Sequence, residues 1–235
     1  MKITIIHGSP RKGNTYHAAQ LFKGAMQGQG EAEFVEFTLP KAMPNFCRSC
    51  MTCFLKGEEH CPDAAYTLPI LEAMLESEGL IFSTPVYALG ASAAMKAFLD
   101  HYAFMFLVHR ARPEMFAKKA FVLSTTAGGG TGSAIKTIAT SLKFWGVNRV
   151  YSGGFALHAL DWESMPKKRR KRFESKIGRQ AKRFHKALSP QKKRRPTLQT
   201  RVLFSVMRQM VKKQEDGMFD KQYWQEQNWF ERNPF

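Results

Sequence analysis

Apolar residues cluster in five short runs along the first two thirds of the chain, at 2–7 (KITIIH), 32–39 (AEFVEFTL), 79–87 (GLIFSTPVY), 119–126 (KAFVLSTT) and 149–157 (RVYSGGFAL). Their enrichment in Val, Ile, Phe and Thr is that of strands. Between them lie segments with helical length and pattern, roughly 14–28, 66–77, 91–108 and 132–145. Strands alternating with helices predict a parallel sheet covered on both faces, and near-continuous apolar runs suit strands buried on both sides. The expected fold is a doubly wound α/β sandwich with a five-stranded parallel sheet. Its ligand site should lie where the strand carboxyl ends meet the following loops.

Three of those loops are chemically unusual. After the first strand, HGSPRKGNTYHAA places Ser9, Asn14 and Thr15 as hydroxyl and amide groups, with Arg11 and Lys12 adding charge at a helix start. Helix N-terminal N–H groups favour an anion, so this loop is built to cradle phosphate, although it is neither a Walker loop nor a three-glycine dinucleotide pattern. A polar turn with an Asn or Thr cap is the plain alternative. After the third strand, Pro85 stiffens the chain, Val86 follows, and Tyr87 leaves an aromatic ring at the sheet edge. After the fourth, Thr125, Thr126, Ala127, Gly128 and Gly129 open a glycine-rich turn that exposes backbone amides. A phosphate loop, an aromatic loop and a glycine loop on one edge describe a site for a flat ring with a phosphorylated tail, which flavin mononucleotide (FMN) fits.

The stretches GSPRKGNT (8–15) and TPVY (84–87), with a cysteine-rich loop between them and Lys96 and Asp100 downstream, resemble the NAD(P)H-dependent FMN reductase family of flavodoxin-like proteins, and within it the iron–sulfur flavoproteins. The resemblance spans roughly residues 1–160. It implies an FMN-dependent oxidoreductase supplied with electrons by NAD(P)H or a reduced carrier. The FMN phosphate would sit on Ser9, Arg11, Asn14 and Thr15, the isoalloxazine beside Pro85, Val86 and Tyr87, and its polar edge along Thr125 to Gly129. One departure is His101, where the family commonly has Arg after the Asp of FLD (98–100).

All four cysteines of the chain, Cys47, Cys50, Cys53 and Cys61, fall within fifteen positions. MKITIIHGSP lacks a charged-then-apolar export pattern, so the expected compartment is the cytoplasm, where clustered thiols bind metal or react rather than pair. The longest candidate span, 102–108, is far short of the roughly eighteen apolar residues a membrane helix needs. Three thiolates two residues apart cannot easily wrap one tetrahedral zinc; they resemble the first ligands of a ferredoxin loop, and Cys61 precedes Pro62 as in ferredoxin runs. A four-iron four-sulfur (4Fe-4S) cluster is the expectation. Free or redox-active thiols in a cluster-free quinone or nitro reductase, zinc, and a non-enzymatic electron carrier stay open beside it. His60 reads as an exposed loop residue, and His101 and His109 as packing residues of an apolar helix.

Charge then divides the chain. Residues 1–160 hold 15 Lys and Arg against 11 Asp and Glu, or +4, whereas 161–235 hold 21 against 8, or +13, of the total +17. The expected division is an FMN-binding unit over 1–188, including the cysteine loop 47–61, and a basic amphipathic extension over 189–235. Within 163–188, Phe173, Ile177, Ala181, Phe184 and Leu188 recur at helical spacing among basic residues, predicting a helix on the core with a cationic outer face. SPQKKRRP (189–196) reads as a linker. Leu198, Val202, Leu203, Val206, Met207, Met210 and Val211 then form a broad apolar face that needs the body, a second subunit in a homo-oligomer, or an anionic membrane surface. Nucleic acid is the weakest reading, because a basic run alone is usually a solvated face. The closing aromatic segment, 223–235, should pack onto something.

Overall fold

The computed structural model describes residues 1–189 and 196–235; most of the expected linker, 190–195, lies outside the described residues. In chain order the elements are β1 (Lys2–His7), α1 (Asn14–Gln27), β2 (Glu33–Thr38), α2 (Thr52–Leu55), α3 (Ala64–Glu76), β3 (Gly79–Tyr87), β4 (Gly90–Ala91), α4 (Ala93–His101), β5 (Lys119–Thr126), α5 (Thr131–Phe144), β6 (Arg149–Ala156), α6 (Lys167–Leu188), α7 (Leu198–Lys212) and α8 (Phe219–Glu226). The strands pair in the order β2-β1-β3-β5-β6, all parallel, with the two-residue β4 antiparallel to the end of β3. Every strand expected from the apolar runs is present, and the order is that of a flavodoxin-like sheet.

Alternate residues of the central strands feed two cores, as the two-residue period requires. Ile6, Leu80, Phe82, Ala120 and Val122 pack with Ile70, Met74, Phe98, Ile138 and Leu142 from α3, α4 and α5. Ile3, Ile5, Ile81, Phe121 and Leu123 pack on the other face with Ala18 and Phe22 of α1 and with Ile177, Ala181, Phe184 and Leu188 of α6. The basic helix is therefore one of the two that cover this face, its apolar row turned inward.

The single helix expected at 91–108 ends at His101. Tyr102, Phe104 and Met105 are drawn into one core and Leu107 into another, so no helix with a solvent face could satisfy them all. The segment instead folds as short turns fixed by specific bonds: the Tyr102 hydroxyl donates to the Thr67 carbonyl at 2.7 Å, the Trp145 indole N–H donates to the Tyr102 carbonyl at 3.0 Å, and the Leu107 N–H donates to the Phe144 carbonyl at 2.7 Å.

A third core joins this segment to the C-terminal extension. Leu107, Ala111 and Phe116 pack with Phe204 and Val211 of α7, with Trp224 of α8 and with Trp229. Phe204 and Trp224 stack with centroids 5.0 Å apart, and the Trp224 indole N–H donates to the His109 carbonyl at 2.7 Å. The aromatic end of the chain thus packs onto the body. The broad apolar face of α7 is divided: Leu203, Met207 and Val211 pack inward, while Leu198, Val202, Val206 and Met210 stay exposed. Among the described residues no helix is long and apolar enough to cross a membrane.

Because Phe204 is fully buried and Val202, two residues earlier on the opposite side of the helix, is exposed, the two separate packing from propensity. Phe204→Ala should lower stability by about 3–5 kcal/mol and Val202→Ala by less than about 0.5 kcal/mol, read from urea unfolding midpoints. Equal effects would show that this core does not anchor the extension.

Candidate functional site

The first loop is fastened to the sheet before it turns. The Gly8 N–H donates to the Ser83 carbonyl at 2.7 Å, and the Ser92 hydroxyl donates to the Gly8 carbonyl at 2.5 Å while accepting from the Met95 N–H at 3.2 Å as the cap of α4. A Cβ on Gly8 would stand 3.0–3.1 Å from Met95 Cε, the Ser83 carbonyl and Ser92 Oγ, so a side chain there would need its neighbours to give by a few tenths of an ångström. Beyond it, α1 begins at Gly13, which offers no capping side chain, and its first turn holds no acidic residue. The N–H groups at that end remain open to an anion.

Ser9, Arg11, Asn14, Thr15, Pro85, Val86, Tyr87, Thr125, Thr126 and Ala127 line one cavity of about 190 Å³ there. The Thr15 and Thr125 hydroxyls bond at 2.6 Å across it. Asn14 donates to the Ala159 and Leu160 carbonyls at 3.4 and 3.3 Å, and its buried Oδ1 has no protein partner. Gly128 and Gly129 lie outside the lining; they close the turn, with the Gly128 N–H donating to the Thr126 hydroxyl at 3.1 Å and that hydroxyl donating to the Gly129 carbonyl at 2.9 Å. Ala159 and Leu160 were missed in the sequence, although they follow β6 on the same sheet edge. A larger, shallow depression around Met1, Lys2, Glu31 and Glu76 sits at the opposite, amino end of β1, away from the three loops.

The rim of the cavity is strained. Tyr87 and Gly90 are paired across a two-residue turn in which Ala88 and Leu89 have φ of 47° and 61°. Such a turn favours Asn and Gly, and each left-handed non-glycine residue costs on the order of 1–3 kcal/mol. Gly130, at φ 95°, lets the start of α5 press against it: a Cβ there would stand 2.8 Å from Val86 Cγ1 and 3.0 Å from Leu89 Cα. Tyr87 is left 53% exposed beside the cavity, a free aromatic face rather than a core side chain.

The four cysteines, none paired in a disulfide, line a second cavity of about 310 Å³ together with Asp63, Asp100 and His101. Ser49 and Met51, between the first three, have φ of 52° and 58°, so the loop curls twice. Cys47 and Cys50 are exposed; Cys53 and Cys61 are half-buried. Cys61, Asp63 and His101 bring ligand atoms within 4.8 Å of one another. Asn45 binds both of the latter, donating to Asp63 Oδ1 at 2.7 Å and accepting from His101 Nε2 through its carbonyl at 3.1 Å. His60 is exposed and meets only Glu59, at 3.3 Å. The thiols differ in acidity. The Thr52 hydroxyl, donating to Cys50 Sγ at 3.3 Å, holds the Cys50 thiol below its ordinary value. Burial, with the neighbouring Cys61 thiolate, pushes Cys53 up to about 11, and burial likewise raises Cys61.

The flavodoxin-like sheet, with a polar first loop and an aromatic rim at its carboxyl edge, is an architecture shared with FMN-dependent oxidoreductases. The chain belongs to the NADPH-dependent FMN reductase family, whose profile matches residues 1–160. It is 32% identical over 161 residues to an iron–sulfur flavoprotein of Archaeoglobus fulgidus, covering 67% of this chain and 70% of that one. An iron–sulfur flavoprotein of Clostridioides difficile is 24% identical over 239 residues, covering 97% and 99%. In fold the chain is similar to an azoreductase from Bacillus anthracis, with a TM-score of 0.61 at 16% identity, covering 79% and 98%. It is thus an NAD(P)H oxidoreductase of the flavin type.

The thiol acidities set an order of reaction in the metal-free chain, because only thiolates alkylate. Cys50 should react first, with a rate that levels off below the ordinary thiol range; Cys53 should react last, its rate climbing about tenfold per pH unit until pH approaches about 11. Peptide mapping after timed iodoacetamide treatment checks this, and a Cys53 faster than Cys50 at neutral pH would contradict it.

Proposed function

We propose that the chain carries electrons from NAD(P)H or a reduced carrier through FMN in the first cavity to a 4Fe-4S cluster on Cys47, Cys50, Cys53 and Cys61. One observation carries this reading: the two cavities stand at opposite ends of α4. Ser92, at its start, binds the FMN-site loop through Gly8, and Asp100 and His101, at its end, line the cysteine cavity. Nine helical residues span only about 13 Å, so the two sites are neighbours. The names of the two iron–sulfur flavoproteins lend support, as does the match of one of them along nearly the whole chain.

The residues fit both groups. Ser9, Arg11, Thr15 and the uncapped start of α1 would hold the FMN phosphate through charge-assisted bonds. Asn14 Oδ1, buried without a partner, offers the acceptor that a hydroxylated tail requires. A cavity of about 190 Å³ accepts the phosphate and part of that tail, and the exposed Tyr87 leaves the ring site open to a nicotinamide, a small-molecule acceptor or a second subunit. Four soft thiol donors without a disulfide suit iron and sulfide. FMN, when bound, would supply the means to take up two electrons as one hydride and release them singly; the protein supplies binding and orientation. Residues 1–188 form the flavin unit in this reading. The extension from 189 adds the exposed α7 row as a contact for a homo-oligomer or an anionic membrane surface, and a cytoplasmic setting keeps the thiols reduced. The exposure of Cys47 and Cys50 favours a second reading, a cluster-free reductase with redox-active thiols.

Anaerobic purification with flavin, iron and sulfide analysis tests the assignment. We expect one FMN and about four iron and four sulfide per chain, with iron falling steeply in each single Cys→Ser variant. The pair Ser9→Ala and Arg11→Ala should weaken FMN by about a hundredfold or more, since charge-assisted bonds contribute about 1.5–3 kcal/mol each. Unchanged flavin affinity would remove the phosphate from this loop; stoichiometric zinc, or no metal with normal turnover, would move the chain to the cluster-free reading.

A further inference from the structure

A guanidinium buried beside the cysteine loop ties the C-terminal extension to that loop. Arg110 is 1% exposed. Its Nη1 donates to Asp220 Oδ1 of α8 at 2.6 Å, its Nε and Nη2 reach Glu58 Oε2 at 3.4 and 3.3 Å, and Nη2 also donates to the carbonyl of Cys53. Its flat face lies 4.8 Å from the Phe219 ring centroid and 5.6 Å from that of Phe104. Arg112 pairs with the other oxygen of Glu58, and His109 bonds Asp220 Oδ2 through Nδ1 at 2.6 Å. The Phe54 ring meets His109 edge-on at 4.6 Å.

These contacts have a direction. Glu58 and Cys53 belong to the cysteine loop, Arg110 to the segment after α4, and Asp220 to the extension, about half the chain away in sequence. A rigid, always-charged fork can satisfy three acceptors at fixed angles, which an ammonium cannot. Without Asp220 the guanidinium would lose the closest of its carboxylate contacts, and breaking a buried pair costs far more than a surface pair. We propose that Arg110, oriented by Asp220, is a positioning residue for the cysteine cavity: it fixes the backbone at Cys53 and the turn at Glu58, so the extension braces that site from behind without lining it. The proposal rests on the cluster reading for its purpose, but the clamp can be measured without iron.

The full-length chain, stripped of metal, is compared as wild type, Asp220→Asn, Asp220→Glu and Val211→Ala; the last loosens the shared third core without altering the ion network. Hydrogen exchange is read at the amides of Phe54, Leu55 and Lys56, which bond to the Met51 and Thr52 carbonyls, and maleimide labelling is read at Cys53. Asp220→Asn should raise both by about tenfold or more, leave FMN content unchanged, and be largely rescued by Asp220→Glu. In reconstituted protein, the same variant should lose iron to a chelator faster than wild type. Unchanged exchange and labelling in Asp220→Asn, or an equal rise in Val211→Ala, would overturn the clamp. Should Asp220→Asn fail to fold, Arg110→Lys replaces it with the same expected and overturning results. Selective loosening at Cys53 in a chain that never takes up iron would support the clamp and sink the cluster reading alone.

Discussion

The β1–β3 ladder runs one bond past the end of β1, from the Gly8 N–H to the Ser83 carbonyl, and the placement of the first loop at the cavity depends on that extra bond. It holds the first loop against the neighbouring strand at the point where the chain leaves the sheet. Ser92 then joins the same loop to the start of α4. Parallel pairing puts the carboxyl ends of β1, β3, β5 and β6 on one edge, so Thr15 meets Thr125, and Tyr87 comes within 3.5 Å of Ser9, without any long-range design of the loops themselves. A Cβ at Gly8 would meet the Ser83 carbonyl and Ser92 Oγ at 3.1 Å, so glycine fits there with the least displacement of the loop.

The sheet, and the gathering of most of the expected loop residues around one cavity, were legible because each rests on a local signal. Continuous apolar runs marked the strands, and Ser9, Arg11, Asn14, Thr15 and Tyr87 stand in loops whose position follows from strand order. What escaped depends on pairing across the chain. The turn at Ala88 and Leu89 has neither Asn nor Gly to announce its left-handed backbone; it is imposed by the register of Tyr87 with Gly90 and by the close approach of Gly130. Residues 102–108 have helical periodicity but serve two cores at once, and burial overrode propensity. Arg110 and Asp220 are 110 positions apart, and no spacing rule joins them. The apolar face expected on α7 left out Phe204, yet Phe204 and Val211 are the two fully buried residues of that helix.

The strongly cationic α6 shows how far packing outweighs surface charge. Its sequence, KKRRKRFESKIGRQAKRFHKAL, holds a single acidic residue, and each like-charge pair one turn apart costs a few tenths of a kcal/mol, on the order of 0.2–0.5. Against this, Ile177, Phe184 and Leu188 are buried under the sheet, each contributing about 1.5–3 kcal/mol. Three such side chains offset many exposed repulsions, which salt and solvent further screen. The end of the helix is fixed from below as well: Lys119 donates to the Ala187 carbonyl, and Leu188 fills the space that a Cβ on Gly79 would occupy, 2.7 Å from Leu188 Cδ1. The helix therefore folds in spite of its charge, and the cations remain on the outer face because nothing in the core competes for them. A surface of this sign attracts anions and raises their local concentration in a salt-dependent way. The fold thus neither depends on this charge excess nor is undone by it, and the range of its field in solution is set by salt.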